Sequence, residues 1–177
     1  MGLAPILGGR CTWESPWHRK KGTCNKEVGP NPTDRGKSGV KRNVLTEGAG
    51  IPISATICAA NKHDKTQVVN VLDAVILPRP QSEQHICLDN GYDYPDVHQE
   101  LISRGYTVHI PFLGLDTALP LKGDPNRHPA RRWVVERCHA WLHKFRKLLV
   151  RYERLPQNYL ALLQLACCLI IYRQILT

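Results

Sequence analysis

From Ile51 to Ala59 the chain sets Ile51, Ile53, Ala55, Ile57 and Ala59 at every second position. That alternation builds a strand with one face in a core. Asn43-Val44-Leu45-Thr46 precedes it, and Gly48-Ala49-Gly50 between them has turn composition. A β-hairpin here gives the downstream chain a sheet to pack against. Asp64 with Gln67 three residues on resembles a helix start, and Val68, Val69, Leu72, Val75 and Ile76 fit the helix that Pro78 and Pro80 end. His85-Ile86-Cys87-Leu88-Asp89 reads as a short buried strand bounded by Asn90-Gly91. Pro95 opens a helix carrying Val97, Leu101 and Ile102, and Tyr106 to Ile110 returns as a strand. Residues 112–129 form a loop with Gly and Pro. The expected order, β-β-α-β-α-β-loop-α-α, is a mixed α/β pattern.

Arg131 to Leu148 reads as one helix with two unlike faces. Val134, Cys138, Trp141, Leu142, Phe145 and Leu149 make an apolar stripe. Glu136 lies about 200° round the helix from Val134 at ~100° per residue, away from that stripe. Arg132, His139, Ala140, His143 and Lys147 share its side. A solvated face with i,i+4 pairs such as Arg132–Glu136 is the ordinary form of this pattern. Trp133 and Trp141, at helical spacing, are expected in the core rather than stacked on bases. The last helix runs from about Gln157 to Ile175. Its apolar part, Tyr159 to Tyr172, spans 14 residues including Gln164. That is short of the ~20 residues a membrane span needs, so it is expected to be a core helix.

A chain of 177 residues with 42% apolar and 22% charged residues is globular and long enough for a real core. The net charge is +9, and it is concentrated. Arg19 to Arg42 carries eight Lys/Arg against Glu27 and Asp34, and Arg131 to Arg154 carries eight against Glu136 and Glu153. Two basic blocks on an otherwise mildly acidic chain suit a polyanion such as nucleic acid. The seven cysteines form no C-x-x-C pair, which excludes a zinc ribbon or thioredoxin-like site and points to buried thiols in a reducing compartment. Met1 to Gly9 lacks the features of a signal peptide. Gly36-Lys37-Ser38 ends like a phosphate-binding P-loop, but Asn31 stands where the first Gly belongs and no apolar strand precedes it. Residues 1–40 show no sustained period and read as a basic, loop-rich segment.

Two acids attract attention. Asp89 closes a strand at the sheet's carboxyl edge, where open α/β sheets place ligands. Glu136 lies 47 positions on. If its helix packs across the sheet, the carboxylates meet among cations, as hard divalent ions and phosphodiesters require. Tyr92 and Tyr94 beside Asp89 are candidates to line a groove. Asp64, with His63 a candidate contact to the site, is most simply a helix N-cap.

Several segments carry a resemblance. They are Gly29-Pro30-Asn31-Pro32-Thr33-Asp34-Arg35-Gly36-Lys37-Ser38-Gly39-Val40-Lys41-Arg42, Ala60-Asn61-Lys62-His63-Asp64, Leu88-Asp89-Asn90-Gly91-Tyr92-Asp93, and Arg132-Trp133-Val134-Val135-Glu136-Arg137 on to Trp141 and Asn158-Tyr159-Leu160-Ala161. In this order and spacing the chain resembles bacterial insertion-sequence transposases of the DDE class, from about Gly29 to the C-terminus. The resemblance implies a ribonuclease-H-like mixed sheet flanked by helices over residues 41–177. It implies metal-dependent cleavage at element ends and strand transfer into target DNA. Asp89 matches the second acid and Glu136 the third, both as catalytic and as metal-binding residues. It also implies a two-metal site for Mg2+ or Mn2+. Arg132 matches the basic residue before the family's Glu, and a further Lys of related groups falls on His143, Lys144 or Lys147. Duplex DNA, as terminal repeats and target, and a second copy of the chain on that DNA are the implied partners, with no membrane. The implied location is the bacterial cytoplasm, at the nucleoid. Phosphate contacts are expected from Arg35, Lys37, Lys41, Arg42, Arg132, His143, Arg146, Lys147, Arg151 and Arg154.

The first acid of the pattern has no match. Residues 1–28 contain no Asp, and the nearest acid is Glu14. The chain therefore resembles the C-terminal part of a transposase with its first strand missing or degenerate, and it is expected not to cut DNA alone. The competing expectations are a non-catalytic DNA-binding remnant and a ribonuclease-H-like nuclease.

Overall fold

The computed structural model describes residues 6–14, 27–32, 35–78, 80–110 and 132–176, with the backbone alone at 6–14, 90 and 132. The expected loop over 112–129 lies outside the described residues. Seven strands form one sheet: β1 (Ile6–Glu14), β2 (Gly29–Pro30), β3 (Ser38–Thr46), β4 (Pro52–Ala59), β5 (Gln84–Cys87), β6 (Tyr106–His109) and β7 (Val150–Arg151). The helices are α1 (Val68–Asp73), α2 (Pro95–Ser103), α3 (Arg132–His143), α4 (Arg146–Leu149) and α5 (Pro156–Ile175). A mixed sheet flanked by helices is the architecture expected.

The first strand is not missing. β1 runs antiparallel to β3 from Ile6↔Thr46 to Trp13↔Gly39. Its other edge is shared, with Ile6 parallel to Cys87 of β5 and Trp13 and Glu14 parallel to Val150 and Arg151 of β7. The sequence only half-showed this strand: Arg10-Cys11-Thr12-Trp13-Glu14 alternates polar and apolar residues, but Gly8-Gly9 interrupts the pattern. β1 and β2 belong to the same sheet as the rest.

β3 is longer than its apolar run. It begins at Ser38 and so takes in Gly39 and Val40, from the segment that read as loop-rich, together with Lys41 and Arg42. β3 and β4 form the expected hairpin. Glu47 N donates to Ile51 O at 2.9 Å, and Gly50 turns the chain at φ +92°. A Cβ there would also lie 3.2 Å from Val134 O of α3, so Gly50 is required for both backbone angle and clearance.

Alternation along the strands gives the sheet two unlike faces. On one, Leu45, Ile86, Leu88, Tyr92, Val97 and Leu101 join Val68, Val71 and Leu72 under α1 and α2. On the other, Val40 and Val44 meet Cys138, Leu142, Leu148, Tyr159, Leu163 and Ile170 from α3, α4 and α5. α5 has 20 residues and is long and apolar enough to match a membrane span. Tyr159, Leu163, Ala166, Cys167 and Ile170 wall this core, but Leu165, Leu169, Tyr172 and Ile175 are exposed, so only one side of α5 is a core surface.

Local expectations met two corrections. His63, not Asp64, caps the turn that precedes α1, its ring accepting from Lys65 N at 3.3 Å. The helix from Arg131 to Leu148 is two helices, because the chain bends after His143 and Phe145 stands extended at φ −88° and ψ 103°. The bend turns Leu148 into the core and leaves Leu149 42% exposed.

Five described cysteines are free thiols. Burial raises Cys138 and Cys167 to about 12, leaving both protonated and unreactive at neutral pH. Brief iodoacetamide treatment of the native chain, read by peptide mass spectrometry, is expected to label exposed Cys168 and to spare Cys138 and Cys167 until denaturant is added. Arg151 is fully buried, donating from Nε to Glu153 O at 2.9 Å and from Nη2 to Arg154 O at 3.1 Å. Arg151→Ala is expected to cost ~2–4 kcal/mol in a denaturant titration. Arg154→Ala, at an exposed side chain, should stay within about 0.5 kcal/mol of wild type.

Candidate catalytic and nucleic-acid-binding site

Asp89 follows β5 by two residues. Its half-buried carboxylate accepts from Gly91 N at 2.9 Å, and its carbonyl accepts from Tyr92 N at 3.1 Å. These bonds hold the acid in a tight turn at the carboxyl end of the strand. Cys87, two residues earlier, packs with Val134 and Val135 of α3. Glu136 is the next residue of that helix and is exposed. The packed trio therefore brings the chain at Asp89 and the chain at Glu136 to one corner of the sheet. Glu136 stands on the flank of α3, because Val134, Val135, Cys138, His139 and Leu142 are the buried side.

The strand register locates where a third group would stand. Ile6 lies opposite Cys87 in parallel pairing, so Gly8 of β1 is level with Asp89 and at the same alternation. Glu14 is six residues further along, about 20 Å at ~3.3 Å per residue. It is paired with Arg151 at the far end of the strand. This register sets Glu14 at the opposite end of β1 from the level of Asp89.

Carboxylate oxygens suit Mg2+ or Mn2+, which keep several waters and bind through one or two carboxylates. Among the described residues no cluster of three His, Cys, Asp or Glu side chains is arranged to hold a metal ion. Asp89 and Glu136 are carboxylates of the kind such an ion takes.

The cations divide into two groups. Arg42 is fully buried in β3, where its Nη2 lies 2.9 Å from His143 Nε2. An arginine can only donate, so that nitrogen of His143 is the acceptor. Arg42 and His143 are thus engaged in holding α3 to the sheet, and burial withdraws Arg42 and Arg151 from phosphate contact. Arg151 also lies 5.7 Å from the Tyr159 ring centre. Lys41 is largely covered, bonding Asp64 at 2.8 Å and Lys62 O at 2.9 Å. Arg35, Lys37, Arg146, Lys147 and Arg154 are exposed. The side chain of Arg132 lies outside the described residues. His139, expected beside Glu136, is buried at 2% exposure.

β1 brings the two basic blocks together. Trp13 pairs with Gly39 on one side and with Val150 on the other. The turn holding Arg35 and Lys37 leads into the first residues of β3, and Arg146, Lys147 and Arg154 flank β7. Arg35 at φ +50° and Gly36 at φ +69° make that turn tight, and Gly36 N donates to Asn31 O at 3.1 Å. Gly29 touches the same region from below: a Cβ there would fall on the Asn61 side chain. The segments around Asn31 and Asn61 are therefore neighbours in space.

The aromatics were only partly legible. Tyr92 is buried, and burial, then Asp64 and Asp89, raise its hydroxyl well above the usual range. It is a core residue, not a groove wall. Tyr94 is half-buried, with Lys65 4.2 Å above its ring and its hydroxyl 3.4 Å from His63 Nε2. Trp133 is 51% exposed, against the expectation of a core position, and Arg137 stacks 4.5 Å from its ring centre. Arg137 also donates to Ala49 O at 3.4 Å. It went unnoticed in the sequence, where the only signal was its i,i+4 spacing from Trp133.

A protein of Burkholderia cepacia provisionally named transposase for insertion sequence element IS402 is 36% identical over 160 residues, covering 87% of this chain and 70% of the relative. A piggyBac transposase synaptic complex with hairpin DNA aligns at a TM-score of 0.39 and 15% identity, over 62% of this chain and 22% of that one. The profile of the family described as transposase DDE domain matches residues 14–171. A profile match over most of the chain, with a relative this similar across most of both sequences, means that the chain belongs to the transposase DDE domain family.

Proposed function

We propose that this chain is the catalytic domain of an insertion-sequence DNA transposase, one that binds duplex DNA but lacks a complete set of acids for cutting it. The observation that carries this reading is the packing of Cys87 on Val134 and Val135, which joins the neighbourhoods of Asp89 and Glu136. In this reading Asp89 and Glu136 are the second and third catalytic acids, and they would hold a divalent ion such as Mg2+ or Mn2+. A bound ion would polarise a phosphodiester oxygen and lower the cost of its developing charge. Asp89, fixed by Gly91 N, orients its free oxygen for this task. Gly8 occupies the level at which a first acid would complete the site. Arg35, Lys37, Arg146, Lys147 and Arg154 hold the DNA backbone, and Arg132 lies at the start of the helix that carries Glu136. The protein works in the bacterial cytoplasm, and two copies assemble on the paired ends of an element. A ribonuclease-H-like nuclease would use the same two acids but would only hydrolyse.

Cleavage of DNA bearing the ends of the encoding element, with Mg2+ or Mn2+, tests the reading directly. The wild-type chain is expected to bind that DNA and leave it intact. Efficient nicking by wild type would overturn the assignment of an incomplete site. Mn2+ binding followed by electron paramagnetic resonance separates the residues. Gly8→Asp is expected to tighten it by about tenfold, ~1.4 kcal/mol. Asp89→Asn or Glu136→Gln should weaken it to the level of a surface carboxylate.

Salt dependence addresses the backbone contacts. Alanine at Arg146, Lys147 or Arg154 should make the slope of log affinity against log salt shallower by about one each and lower affinity on all sequences alike. A denaturant-verified folded variant of buried Arg42 should leave the slope unchanged. Unaltered slopes after removing two of the exposed cations would count against this face.

A further inference from the structure

The C-terminal ends of α3 and α5 enclose a cleft of about 150 Å³, lined by Trp141, Lys144, Phe145, Ile170, Arg173 and Gln174. It is distinct from the corner that holds Asp89 and Glu136. Trp141 near the end of α3 and Phe145 just beyond the bend are half-buried and pack against the core formed with α5. Their rings are therefore walls held from behind. Lys144 and Arg173 are exposed and stand at the lip. Among the described residues no acid lines the cleft. Lys144 N donates to Trp141 O at 3.1 Å and Phe145 N to Leu142 O at 3.2 Å, so the bend that ends α3 also shapes the site.

Ring walls, two cations and an amide make a chemical description of the ligand. The rings offer stacking to a flat π-system, the cations attract an anion beside it, and the Gln174 amide is a type that reads base edges. The volume admits one planar ring system. A base within a duplex is stacked on both faces and presents neither. An unstacked base on a single strand presents both, with its phosphate alongside.

The position relative to the acids is also suitable. Lys144 lies eight residues beyond Glu136, about 12 Å along α3 at ~1.5 Å per residue. That is three to four nucleotides at ~3.4 Å each. Between them the exposed side of α3 presents Arg137 and the small Ala140, which leaves room for a strand to lie close to the helix.

We propose that this cleft binds one unstacked nucleotide of a single DNA strand, its base against Trp141 and Phe145 and its phosphate between Lys144 and Arg173. The inference rests on the reading of this chain as a DNA-acting transposase domain. The strand so held extends from the acids along α3, and the cleft favours DNA whose ends are locally opened over intact duplex.

The test compares fluorescence anisotropy of the full chain on a labelled 20-nucleotide single strand and on the same sequence as duplex. Trp141→Leu should weaken single-strand binding by about five- to a hundredfold, the worth of one stacked base, with duplex binding unchanged within about twofold. Lys144→Gln with Arg173→Gln should lower single-strand binding more than duplex binding. Trp133→Leu, outside the cleft, should alter neither. A 2-aminopurine strand should be quenched by wild type and not by Trp141→Leu. If circular dichroism shows Trp141→Leu to be unfolded, the lysine–arginine double variant and a photocrosslink from 5-iodouridine to the Trp141 peptide decide instead. Equal losses on single strand and duplex, or no loss on single strand, overturn the proposal. A wild-type chain that binds duplex and not single strand overturns it while leaving the proposed function standing; one that binds neither overturns both. A dimer that Trp141→Leu dissolves without changing single-strand affinity would make the cleft an interface between copies, which also overturns it.

Discussion

The structure depends on the backbone pairing of β1. One edge of this strand is committed to β3 along most of its length, and the other is divided between β5 at Ile6 and β7 at Trp13 and Glu14. A strand in this position satisfies its own backbone groups and those of three partners, which no side-chain contact could replace. It also fixes levels. β5 ends where β1 begins, so Asp89 stands beside Gly8, and β7 joins at the far end, beside the start of β3. The acid corner and the cationic end are therefore separated by the length of one strand. Hydrogen-bond register, rather than any charge pairing, sets that separation.

Two unlike cores then lock the sheet in place. α1 and α2 cover one face, α3, α4 and α5 the other. Arg42 and His143 are the polar seam on the second face, with an arginine fully withdrawn from water against a helix-borne ring. Removing one partner of such a seam strands the other, which makes these residues structural despite their charge. Arg151 has the same character, tying β7 to the start of α5 through carbonyl oxygens and the Tyr159 ring. A basic block is thus not a uniform phosphate-binding surface. Part of its charge is spent inside the protein, and the exposed remainder faces DNA in the proposed function.

Much of the fold was legible in the residues. The Ile51–Ala59 alternation, the Gly48–Gly50 turn, Pro95 at a helix start and the apolar run of α5 report their elements directly, because period and turn chemistry are local properties. Asp89 at a strand end and Glu136 off the apolar stripe of α3 were visible for the same reason. Three features were not. β1 alternates only over Arg10 to Glu14 and holds Gly8 and Gly9, so its full length as a strand comes from its partners. The break between α3 and α4 contains neither Gly nor Pro and arises because Leu148 turns into the core. Trp133 has helical spacing suited to burial, yet it lies outside the packed side and takes Arg137 as its neighbour instead.

By itself the sequence determined the class of fold, the family, the place of Asp89 at a strand end and of Glu136 off the apolar stripe, and the concentration of positive charge in two blocks, since each is written in residue type and spacing. Tertiary structure alone decided which charges are available, what stands level with Asp89, and that the blocks meet at one end of β1. Those are relations between residues far apart in the chain. They follow from strand register and helix packing, whose free energy comes from burying apolar faces against one another, and no local pattern encodes them.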